Sequence, residues 1–266
     1  MSRADAEAAA REFRHRLGIG SGEPIDVLKA AQDAGALVVL RAIQDGPQGM
    51  IGLRGADAWI FVNVASATPP LHGRLRFTIA HELGHWDLGH GGKVDQRIDL
   101  RASTGEEADA NAFAAELLVP GIEVVRMLGS RGHRPDLEAL IEIAARFGVS
   151  AQVALFRLDR AGLITPSVKR RLNSDIDRGA HLRGAHRQLQ LEFADQLTLR
   201  FRDISDHAAT LVPRELMRRV EDLWEHGVLD NAEAAAHAHM SEAAFLRRMR
   251  QRGVQPATPV DGEDWW

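Results

Sequence analysis

His81-Glu82-Leu83-Gly84-His85 constrains this chain more than any other stretch. On an α-helix, positions i and i+4 share one face, a turn apart. Two imidazoles so placed can bind one Zn²⁺, and the carboxylate beside the first can act as general base on a metal-held water. The motif asks for a helix, a third protein ligand from elsewhere, and a fourth position left to water. The residues before it accept a helix. Phe77, Ile79 and Ala80 are apolar, no proline interrupts, and Pro69-Pro70 close the preceding segment. Gly84 costs about 1 kcal/mol relative to alanine inside a helix. Its presence predicts that a second backbone comes close there. The competing reading is a helix with two surface histidines.

Composition narrows the donor set. The 266 residues include no cysteine, which excludes disulfides and thiolate-bound zinc, so a metal must use His, Asp or Glu. There is no tyrosine either. A net charge of −4 argues against a generally nucleic-acid-coating protein and leaves a local basic patch open. The N-terminus lacks the apolar core of a signal peptide, and no apolar run approaches the ~18 residues of a membrane span. The expectation is a soluble, cytoplasmic protein with no membrane partner.

The third ligand is sought in Ser103 to Pro120, STGEEADANAFAAELLVP, where Phe113, Leu117 and Leu118 form a helical stripe and Pro120 stops it. Glu107 is the favoured ligand. Ala110 and Ala114 give its face small side chains that could approach Gly84. Glu106 competes, as does a capping role, because Thr104-Gly105-Glu106-Glu107 fits the S/T-x-x-E box. Asp109 and Asn111 flank Glu107 and are candidates for orienting a zinc histidine, against a plain polar helix face. His90 is not at metzincin spacing: Gly89 and His90 fall four and five residues after His85, where that pattern needs three and six. It is expected at the helix end or behind a ligand.

RFTIAHELGH, then Glu107-Ala108-Asp109-Ala110-Asn111-Ala112-Phe113-Ala114-Ala115-Glu116-Leu117-Leu118-Val119-Pro120, resembles the ImmA/IrrE-type zinc metallopeptidases. The stretch from Phe147 to Ile164 resembles the family's helical tail, so the likeness spans roughly residues 5–165. Val119 stands where the family usually has methionine. The resemblance implies that His81, His85 and Glu107 hold one catalytic Zn²⁺ and that Glu82 is the catalytic base. It also implies an intracellular, gluzincin-type endopeptidase acting on a helix-turn-helix repressor. A second oxyanion donor cannot be tyrosine here; a His or Arg would serve, with His186 one candidate, or zinc would act alone. The alternative function is a non-hydrolytic module that binds a partner regulator or DNA. A zinc hydrolase acting on a small substrate is a third reading.

The expected fold is α+β: a zincin-like peptidase domain over residues 1–165 with a small antiparallel sheet, then a mostly helical accessory region over 166–266. Residues 4–17 read as a helix with Ala8, Phe13 and Leu17 on one side, and Ile25 to Ala34 as a second. Three short apolar runs, at Ala36–Leu40, Met50–Leu53 and Trp59–Asn63, read as strands. The last could be an edge that pairs with an extended substrate, or a core strand. Gly91-Gly92 is expected to end the metal helix. Leu137 to Ile164 reads as helix, turn, helix, broken at Gly148 and capped at Ser150.

Ala144 to Leu163 faintly echoes Ala235 to Val254, so residues 232–254 could form a second helix-turn-helix-like segment with Ser241 as cap, against a plain helical hairpin. Its Arg247, Arg248, Arg250 and Arg252 could contact DNA or a partner, against the alternative of a solvated basic face. Leu189 to Phe201 leans to helix, and Pro213 to Leu223 is a firmer one. His237 and His239 read as a surface pair, and Asp261 to Trp266 as a polar end carrying two tryptophans.

Overall fold

In a computed structural model, the chain is described over residues 2–41, 43–54, 57–64, 72–91, 93–95, 98, 100, 104–130, 132, 135–180, 214–238 and 240–255. It is a mixed α+β protein. Helices α1 (Arg3–Arg16) and α2 (Val27–Asp33) lead to strands β1 (Leu37–Arg41), β2 (Gly49–Arg54) and β3 (Asp57–Asn63). Helix α3 (His72–Asp87) carries the histidine motif, and β4 (Lys93–Asp95) follows it. Then come α4 (Gly105–Leu118), α5 (Gly121–Ser130), α6 (Leu137–Phe147), α7 (Ala151–Arg160) and α8 (Pro166–Asp177). The last described elements are α9 (Arg214–Glu225), α10 (Asn231–His237) and α11 (Glu242–Gln251).

The sheet departs from the antiparallel one expected. It has four strands in the order β1-β3-β2-β4; β1 runs parallel to β3, while β2 is antiparallel to both β3 and β4. β2 and β3 form a tight hairpin in which Arg54 pairs with Asp57. β1 then joins the far side of β3, with Val38 opposite Ile60. Such an order depends on long-range pairing, which apolar runs do not encode. Trp59–Asn63 is therefore a central strand with neighbours on both sides, not an edge. Among the described strands the free edges are β1 and β4.

Side chains alternate across this sheet as period 2 requires. Val38, Leu40, Ile51, Ala58, Ile60 and Val62 are buried in one core with Ile79 and Leu83 of α3. Met50 and Trp59 face outward. On α1 the buried stripe is Ala6, Ala10 and Phe13, with Ala8 exposed, so the expected face was rotated.

Buried cations fasten the helices that flank α3. Arg76, on its second turn, donates to the carbonyls of Ile25 at 2.8 Å and Phe147 at 3.1 Å. Burial pushes this guanidinium down to about 10, only partly offset by nearby Asp26, so it stays charged at neutral pH. Arg14 donates to the Leu117 carbonyl at 2.7 Å, holding α1 on the end of α4. Phe13 meets Phe113 edge-on, with ring centroids 5.9 Å apart. Arg157 of α7 pairs with buried Glu116 of α4 and donates to the Val119 carbonyl at 2.9 Å. Gly73 lets the start of α3 abut the α6–α7 turn, where a Cβ would fall 2.8 Å from the Ser150 nitrogen. α6 and α7 meet at 108°, with Gly148 left-handed and Ser150 capping α7, as the sequence predicts.

Met217, Val220, Trp224, Ala234, Ala235, Ala238, Phe245 and Met249 form a second hydrophobic cluster within α9–α11. Among the described residues no single helix is long and apolar enough to cross a membrane. The expectations at Leu189–Phe201, His186, Pro213, His239 and Asp261–Trp266 fall outside the described residues.

Candidate metal centre

α3 buries both histidines and the glutamate between them: His81, Glu82 and His85 are each 0% exposed, which rules out two surface histidines. The helix stops one turn later at Gly89, with φ +72, and not at Gly91-Gly92. The His90 amide donates to the His85 carbonyl at 2.9 Å and the Gly89 amide to the Trp86 carbonyl at 3.0 Å, a Schellman ending. That reversal returns His90 to the helix, and its Nδ1 sits 2.9 Å from His85 Nδ1.

α4 crosses α3 at the glycine. A Cβ on Gly84 would lie 3.2 Å from the Cα and carbonyl oxygen of Ala110 and 3.1 Å from the Phe113 ring. The small face inferred for Glu107 is thus the face that touches α3. Residues Ala108 to Leu118 are all buried, so α4 runs through the core with only its first turn reaching outward.

That first turn brings Glu107 to the histidines. Its carboxylate oxygens lie 3.3 Å from His81 Nε2 and 3.5 Å from His85 Nε2. The two Nε2 atoms are 3.0 Å apart. His81, His85 and Glu107 form the metal-capable cluster found among the described residues. The Glu107 side chain is 40% exposed, so the donors form a partly open cup. Thr104 makes no side-chain cap, which removes the capping-box reading of Glu107. Glu106 is exposed on the same turn and does not join the cluster.

The far nitrogen of each imidazole has a polar neighbour. His81 Nδ1 lies 3.2 Å from Asn111 Oδ1, an acceptor, so Nδ1 carries the hydrogen and Nε2 offers its lone pair. His90 Nδ1, 2.9 Å from His85 Nδ1, would have the same effect on His85 by accepting from it. Of the two residues flanking Glu107's turn, Asn111 supplies this contact, and Asp109 is buried on the same helix.

Two imidazole Nε2 atoms and a carboxylate converging on one point need a proton or a metal ion among them. Zinc bonds of about 2.0–2.1 Å in a tetrahedron hold donor atoms roughly 3.3 Å apart; the separations here, 3.0, 3.3 and 3.5 Å, bracket that value. The residues present fit the ion.

One contributor escaped sequence reasoning. Gly49, at the start of β2, faces Glu82. A Cβ there would fall 2.1 Å from Glu82 Oε1 and 2.8 Å from Thr78 Cγ2. The sequence shows Gly49 only as the last residue of a turn-rich stretch, with no sign of what it faces.

The fold and the three-donor cup define a metal-capable α+β domain. Residues 60–159 match the family model of the IrrE N-terminal-like domain, Peptidase_M78, so this stretch is similar to that family's domain. That segment runs from β3 into α7 and includes all four residues of the site. The chain is also 39% identical over 64 residues to a protein described as a probable periplasmic serine endoprotease, DegP-like, of Pseudomonas fulva (strain 12-X). That likeness spans 24% of this chain and only 13% of the relative's length, so it transfers no activity.

Proposed function

We propose that the chain is a zinc-dependent endopeptidase of the zincin type that works in the cytoplasm. Its substrate is a helix-turn-helix transcriptional repressor, and cleavage derepresses the repressor's genes. The observation that carries the peptidase reading is the convergence of His81 Nε2, His85 Nε2 and the Glu107 carboxylate beside buried Glu82. The choice of a repressor rests on the family resemblance.

Bound by His81, His85 and Glu107, zinc would supply Lewis acidity to a water and to the scissile carbonyl. Glu82, adjacent in sequence to the first ligand and walled by Gly49, takes the proton from the attacking water. The same carboxylate then delivers that proton to the leaving amine. Asn111 Oδ1 keeps His81 in the tautomer that offers Nε2, and His90 would do the same for His85 by accepting from its Nδ1. The alternative is a regulatory module that binds without turnover; a complete His-Glu-His-Glu set favours the hydrolytic reading.

The deciding assay mixes the full chain, zinc and a helix-turn-helix repressor. Wild type is expected to cleave, with Glu82→Gln slower by at least two orders of magnitude, in line with general-base contributions of about 10²–10⁴. Equal cleavage by the two proteins would refute the role of Glu82. Uptake of one zinc by wild type, lost in His81→Ala, checks the metal separately.

A further inference from the structure

We infer that the α9–α11 unit binds duplex DNA through the outward ridge of α11, a function separate from the metal centre. The unit has its own core, in which Trp224 of α9 meets Phe245 of α11 edge-on with ring centroids 5.4 Å apart. α10 and α11 are joined by the four residues 238–241, and the Ser241 side chain accepts from the Ala244 amide to start α11 cleanly. Two helices linked by a turn of three or four residues, braced by a third, form the frame that offers its second helix to a major groove.

The four arginines of this segment divide into two pairs. Arg248 donates to Glu221 at 3.2 Å, and Arg252 also pairs with Glu221, a residue of α9 that is only 5% exposed. These two are struts that lock α11 onto α9. Arg247 and Arg250 point the other way and, with Ala243 and Gln251, line one open concavity. Among the described residues no carboxylate pairs with either of them.

This ridge suits a duplex better than a protein partner. Protein hot spots centre on buried aromatic anchors, and the ridge offers none. It offers two guanidiniums for phosphates, a glutamine amide for a base edge, and an alanine that permits close approach. Glu242 is the one carboxylate on α11. Of the other acids of the unit, Asp222 and Glu225 belong to α9, Glu233 belongs to α10 and Asp230 caps α10. The chain's net charge of −4 therefore does not describe the ridge.

The test is fluorescence polarisation of a labelled random-sequence duplex of about two helical turns with the full-length protein, titrated between 50 and 200 mM salt. Wild type is expected to bind at low salt and weaken steeply as salt rises. Arg247→Ala/Arg250→Ala should bind more weakly and flatten the log–log salt slope by about 2, from roughly 0.9 per lost phosphate contact. Both positions are exposed and alanine favours helix, so unchanged circular dichroism is expected to confirm the fold. No binding by wild type at 50 mM salt, or a double variant with wild-type affinity and slope, would overturn the inference.

Discussion

His90 Nδ1 stands 2.9 Å from His85 Nδ1, although His90 lies outside the His81, His85 and Glu107 cluster. The left-handed Gly89 makes the link by turning the chain back over the last turn of α3. His90 is placed to orient His85. His90→Ala should weaken zinc binding by about 10–100-fold, the usual cost of losing a partner behind a metal ligand. Competition against a chelator would measure it. Unchanged affinity would show that the contact orients nothing.

Asn111 plays the same part for His81, at 3.2 Å. What matters is an acceptor at that position, so the two nearest substitutions should separate. Asn111→Asp keeps an acceptor oxygen and should retain zinc, whereas Asn111→Leu should lose about 10–100-fold in affinity. Calorimetric titration of the two variants gives the comparison, and equal losses would contradict the tautomer argument.

Gly49 predicts a defect in turnover without one in metal binding. A methyl group there needs space that Glu82 Oε1 and Thr78 Cγ2 occupy. Gly49→Ala should displace the Glu82 carboxylate and lower kcat at least 10-fold, while zinc content stays at wild-type level. Wild-type kcat in a folded Gly49→Ala protein would mean the β2 backbone does not set the position of Glu82.

Arg76 ties α3 to the segment just before α2 and to the end of α6 through the carbonyls of Ile25 and Phe147. Arg76→Leu leaves both acceptors buried, and each lost partner costs about 1–3 kcal/mol. The expected loss of stability is roughly 2–5 kcal/mol, read from urea unfolding of the metal-free protein. A midpoint within error of wild type would refute the structural role.

Much of the site could be read from the chain itself. The i, i+4 spacing of His81 and His85 and the small face of α4 through Ala110 are local properties of helices. Gly84 announced a close helix crossing because only proximity compensates its cost. The strand segments were legible as apolar runs, and the α6–α7 turn from Gly148 and Ser150. Short β4 was missed because three residues carry too little pattern.

Sequence alone determined which atoms could hold a metal, because without cysteine or tyrosine the chemistry had to fall on His and carboxylate. The tertiary structure decided what no local pattern could. It chose Glu107 over Glu106 and set β1 parallel to β3. It placed Gly49 against Glu82, and it turned Arg248 and Arg252 inward while leaving Arg247 and Arg250 outside. Helical spacing is fixed within a few residues by backbone geometry. Strand order, helix crossing and the choice of ion-pair partner depend on contacts between segments tens of residues apart, which exist only once the core has closed.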